Sequence, residues 1–119
     1  NWQDITNMDK VFEVSLISKK DFYEKHKNLT PQKLCLEEIE LAIEVVNQDP
    51  LFPDFDNSNQ YKYTPIFTKG GSGFVCSYSD FRLLGANADV GSRLCFISET
   101  KMRHVCKHFS EKYNTYLSK

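Results

Sequence analysis

The chain contains no C-x-x-C pair, no H-E-x-x-H stretch, no G-x-x-x-x-G-K-[ST] loop and no apolar run near the roughly 20 residues that a membrane-spanning helix needs. Zinc ribbons, thioredoxin-type redox pairs, haem attachment, helical zinc-protease chemistry and P-loop phosphate binding therefore lack their sequence basis, and no membrane span is expected. The start shows no charged-then-apolar signal segment, although beginning at Asn1 rather than Met leaves room for a removed secretion signal. No segment repeats and no linker interrupts the chain, so residues 1–119 are expected to form a single globular domain.

A surplus of one charge is also missing. The net charge of −1 argues against a dedicated nucleic-acid binder, yet the charge is unevenly placed. Residues 1–60 carry twelve acids against six Lys, and residues 61–119 carry nine Lys or Arg against four acids. Such a distribution predicts a bipolar surface.

What is present is a 40% hydrophobic, 13% aromatic sequence able to fill a core. Lys10 to Ile17 alternates, with Phe12, Val14 and Leu16 on one face, and predicts a half-buried strand. Ser18, with Asp21 three residues later, predicts the start of a short helix over Lys19 to Lys27. Thr30-Pro31 opens a long helix, about 31–48, which Pro50 stops; Glu37, Glu40 and Glu44 form its acidic outer stripe. Tyr61 to Thr68 and Phe74 to Ser79 flank a glycine turn and predict a hairpin, with Pro65 at a sheet edge and Phe81 to Leu84 continuing after a bend near Asp80. Ser92 to Ile97 supplies a further strand. Ser98-Glu99-Thr100 opens a C-terminal helix, about 99–117, whose apolar stripe is Met102, Val105, Cys106, Phe109, Tyr113 and Leu117. The expected fold class is α+β: an antiparallel sheet of four to five strands packed with the long helix and the C-terminal helix.

Candidate sites follow from this layout. Lys101, Arg103, His104, Lys107, His108 and Lys112 form a basic outer face on the last helix, suited to a protein partner of acidic character. Phe52 and Phe55 stand in the 49–59 loop, whose two Pro and several Asx residues give it no period. His104 and His108 have the i, i+4 spacing of a metal pair, but the flanking cations oppose a metal ion and no third ligand is evident. Neither a catalytic set nor a cofactor motif emerges, and none is assigned.

Cys35, Cys76, Cys95 and Cys106 fit two disulfides in an oxidising compartment as well as four buried thiols. If bridges form, the layout favours Cys76 with Cys95 and Cys35 with Cys106. Ile39 to Pro53 resembles the first helix and following turn of extracellular receptor ligand-binding regions of the periplasmic-binding type, but the βαβ repeat of those regions is missing, so no residue role is carried over. Together these readings point to a non-enzymatic protein-binding module, extracellular rather than cytoplasmic, that uses the basic C-terminal helix and the 49–59 loop. The alternatives are a small enzyme with a Cys/His site and an intracellular adaptor with reduced thiols.

Overall fold

The structure is a computed structural model that describes residues 1–47, 62–70, 73–84, 96 and 98–118. A 3-10 turn, Trp2–Asp4, leads into five α-helices and one hairpin: α1 Met8–Ser15, α2 Lys19–Lys25, α3 Pro31–Asn47, β1 Lys62–Gly70, β2 Gly73–Leu84, α4 Glu99–His108 and α5 Ser110–Leu117. The α+β class with a sheet of four to five strands is therefore corrected: the described residues are mainly helical, and their extended chain is confined to this two-stranded pairing and one isolated bridge.

The largest change is at Lys10 to Ile17, expected as a strand and found mostly in α1. The Asn7 side chain accepts a hydrogen bond from Lys10 N–H at 3.0 Å, which satisfies one of the open amides of the first turn. The face that is buried is Met8, Val11 and Phe12, continued upstream by Ile5. That three-and-four spacing outweighs the two-residue alternation of Phe12, Val14 and Leu16, whose last two members are exposed.

α2 starts at Ser18, whose hydroxyl accepts from Asp21 N–H at 3.2 Å. It turns Phe22 inward, where Phe12, Phe22 and Tyr23 meet edge to face with ring centroids 5.3 to 5.6 Å apart. α3 begins with Thr30 Oγ1 accepting from Lys33 N–H at 3.3 Å. Its second half is buried on most sides, with Leu41, Ala42, Ile43, Val45, Val46 and Asn47 inside and only Glu44 exposed, so α3 is the centre of the helical packing.

The C-terminal helix is broken where one continuous rod was expected. Ser98 caps α4 by accepting from Lys101 N–H at 3.3 Å, but at Phe109 the backbone leaves helical geometry, with φ −120° and ψ 23°. Phe109 O then accepts from both Lys112 N–H and Tyr113 N–H, and α5 starts without a side-chain cap. Met102, Val105, Cys106, Phe109 and Tyr113 are all buried, so the apolar stripe crosses the break.

The hairpin lies against α4 and α5. Its antiparallel register runs from Lys62 opposite Leu84 to Pro65 opposite Phe81, then jumps so that Ile66 faces Ser77. Phe81 to Leu84 thus belong to β2. The irregularity falls beside Pro65, which has no N–H to give a ladder. From the expected strand Ser92 to Ile97 only Phe96 is described; it is fully buried and exchanges two backbone hydrogen bonds with Tyr63, at 2.7 and 2.8 Å.

Candidate functional site

The basic residues of the last two helices are largely engaged within the fold. Lys101 Nζ donates to Asn47 O at 3.0 Å and lies 5.9 Å from the Trp2 ring centre. Arg103 pairs with Glu99 one turn earlier. His104 Nε2 is 2.8 Å from Ile5 O, and its ring meets Trp2 edge on at 5.2 Å. Lys107 and His108 remain exposed.

His108 packs its ring 4.5 Å from that of His104. Partial desolvation of this otherwise exposed ring, then the His104 and Lys107 charges, hold its imidazole below the usual histidine value. Among the described residues no group of three or more His, Cys, Asp or Glu is placed to hold a metal ion, and no helix is long and apolar enough to cross a membrane.

Lys112 turns inward. Its Nζ donates to Glu38 Oε2 at 3.0 Å, and the Tyr23 hydroxyl donates to the same oxygen at 2.7 Å. The Glu38 side chain is 6% exposed and that of Lys112 is 29% exposed, so a mostly buried ion pair joins α3 to α5 while Tyr23 adds α2. Burial, then the carboxylate, pushes the Tyr23 hydroxyl above the ordinary phenol range. Burial and Glu38 likewise push the nearby Cys35 thiol up, against an opposing pull from Lys112 and a hydrogen bond with Thr115. A thiol held in its protonated form is a poor nucleophile. The cluster ties three helices together, α2 through Tyr23, α3 through Cys35 and Glu38, and α5 through Lys112.

Cys35 carries a free thiol, so the bridge to Cys106 is not formed; Cys106 is packed in the core. The Cys76 side chain, Cys95, Phe52 and Phe55 lie outside what the structure describes.

One cavity, of about 400 Å³, sits where Thr6, Asn7 and Met8 meet the α4–α5 break from His108 to Lys112. The other, of about 330 Å³, is a cleft between α2 and α3, with Phe22 and Leu41 beside Asp21, Lys25, His26, Glu37 and Glu44, and Ile17 from the α1–α2 connection. His26 is fixed there, Nδ1 2.8 Å from Phe22 O and Nε2 3.7 Å from Glu37.

The connection beside this cleft is the most unusual surface among the described residues. Leu16 is 89% exposed, Ile17 43% and Val14 41%. Leu16 also has φ 61°, the one non-glycine residue with positive φ among those described. Its N–H still bonds Phe12 O at 3.1 Å, which makes it the left-handed cap of α1, a place glycine usually takes. Reading Lys10 to Ile17 as a strand hid this corner. The signal that could have exposed it is Asn7 followed by the helical spacing of Met8, Val11 and Phe12. No family model matches the sequence, and no curated protein or solved structure matches the chain.

Proposed function

We propose that this chain is a non-enzymatic protein-binding module that docks its partner on the α1–α2 corner, Val14, Leu16 and Ile17. The observation that carries the reading is Leu16. A leucine there loses about 1 kcal/mol to left-handed sterics and leaves its side chain in water, so the position favours neither the backbone nor the core. Glycine or asparagine would relieve the first cost, and any polar residue the second. An apolar side chain held outward by a helix cap is instead suited to burial against another surface. The basic C-terminal face supports docking less well, since Lys101, Arg103, His104 and Lys112 already hold partners within the fold.

The test is a photo-reactive phenylalanine analogue placed at Leu16 and, separately, at Lys107, in the full chain expressed in its native source. A discrete adduct from position 16 that disappears on Ile17→Ser, with the helical circular dichroism retained, supports the corner. Adducts from position 107 alone would move docking to the last helices and overturn it.

A further inference from the structure

The α2–α3 cleft next to that corner has a chemistry of its own. Its floor is apolar, Phe22 and Leu41 being nearly buried, and Ile17 stands at its mouth. Its rim carries three carboxylates, Asp21, Glu37 and Glu44, against the ammonium of Lys25 and the imidazole of His26, which lies 3.7 Å from Glu37 and leaves Asp21 and Glu44 the more open acids. Asp21 and Glu44 are exposed, and Glu37 is half-buried. Positions 37, 41 and 44 share one face of α3, so the groove extends over two turns, about 10 Å at 1.5 Å per residue.

Resting on the docking reading above, we propose that this groove binds a basic amphipathic helix of a partner protein. One large apolar side chain of that helix enters between Ile17, Phe22 and Leu41. Lys or Arg residues one turn to either side meet Glu37 and Glu44. Charge complementarity selects this occupant: an acidic or uncharged helix would leave the rim carboxylates facing like charge or desolvated without a partner. The groove is short, so the anchor and its two flanking cations are the whole recognition element. Because the rim is exposed, binding weakens as salt screens charges beyond about 10 Å at 0.1 M.

The experiment is selection of random linear peptides by display on the intact chain, followed by affinity measurement of the enriched peptides against Glu37→Gln/Glu44→Gln and Ile17→Ser variants of confirmed helical content. The expected result is a Leu, Ile or Phe flanked at helical spacing by Lys or Arg, with affinity lowered about tenfold in each variant, equivalent to about 1.4 kcal/mol. Enriched peptides that depend on Ile17 but are acidic, neutral or indifferent to Glu37 and Glu44 overturn the basic partner and leave the corner standing. Peptides indifferent to Ile17, or no enrichment, overturn both. Self-association of the chain that Ile17→Ser abolishes overturns the proposed occupant in favour of a second copy.

Discussion

Lys112 Nζ and Glu38 Oε2 are 3.0 Å apart across 74 residues of sequence, and the contact answers whether the acidic and basic helices are neighbours. They are, but the pairing uses Glu38, the buried acid of α3, rather than the outer stripe of Glu37, Glu40 and Glu44. Removing Lys112 leaves the carboxylate inside with neutral donors, the Tyr23 hydroxyl and the Cys35 thiol, but no facing charge among the described residues. Lys112→Met is expected to cost about 3 kcal/mol, the low end for stripping one partner from a buried pair, since Lys112 is part-exposed. Adding Glu38→Gln should restore part of that loss, because no uncompensated charge remains. Urea denaturation of the single and double variants measures both.

The same cluster sets the alkaline limb of stability. Tyr23 and Cys35 both have their values raised in the fold, so the unfolded chain releases their protons first. Their contribution is complete below the ordinary thiol and phenol values, about 8.5 and 10, and is lost as pH rises through the folded values. Stability should therefore decline above about pH 8.5. Tyr23→Phe should flatten the upper part of that decline while costing about 1 to 3 kcal/mol at neutral pH for the lost donor to Glu38. Chemical denaturation repeated from pH 7 upward checks the slope.

Leu16→Gly should stabilise the protein. Glycine takes φ 61° without steric cost and, at 89% exposure, gives up little buried area. A gain near 1 kcal/mol raises the melting temperature by about 4 °C at this chain length. Leu16→Ala keeps the left-handed penalty and should show no such rise. Calorimetry of the two variants separates backbone strain from side-chain loss.

His108 should titrate below 6.5, and Lys107→Gln should bring its midpoint up. The shift is downward, so the unfolded chain takes the proton more readily. His108 therefore contributes stability above the ordinary histidine value, and that contribution fades as pH falls through its folded value. The imidazole resonances of the wild type and of Lys107→Gln, followed by nuclear magnetic resonance, report the midpoint directly.

The starts of α2, α3 and α4 were legible because each is a local event. Ser18, Thr30 and Ser98 accept from the backbone three residues on, a contact that needs no distant chain. Lys10 to Ile17 failed because it satisfies two periods, and burial of Ile5, Met8 and Val11 decides between them only once α3 is present. The stripe from Met102 to Tyr113 is unbroken in sequence, so the turn at Phe109 had no local sign. The basic face was visible as charge, but its ties to Asn47 O and Ile5 O join residues 54 and 99 apart. The α1–α2 corner was hidden by the strand reading, and its φ is a backbone fact that no side-chain pattern carries.

Those two distant ties bear on the order in which the chain can acquire its structure. The carbonyl at the end of α3 is satisfied by Lys101 and that of Ile5 by His104, so the N-terminal part of the protein receives these hydrogen bonds only from α4. During synthesis that helix emerges late. Until it docks, α3 lacks this cap on its final turn and the segment after the 3-10 turn lacks its anchor. For a mainly helical protein, ties that join residues 54 and 99 apart raise contact order.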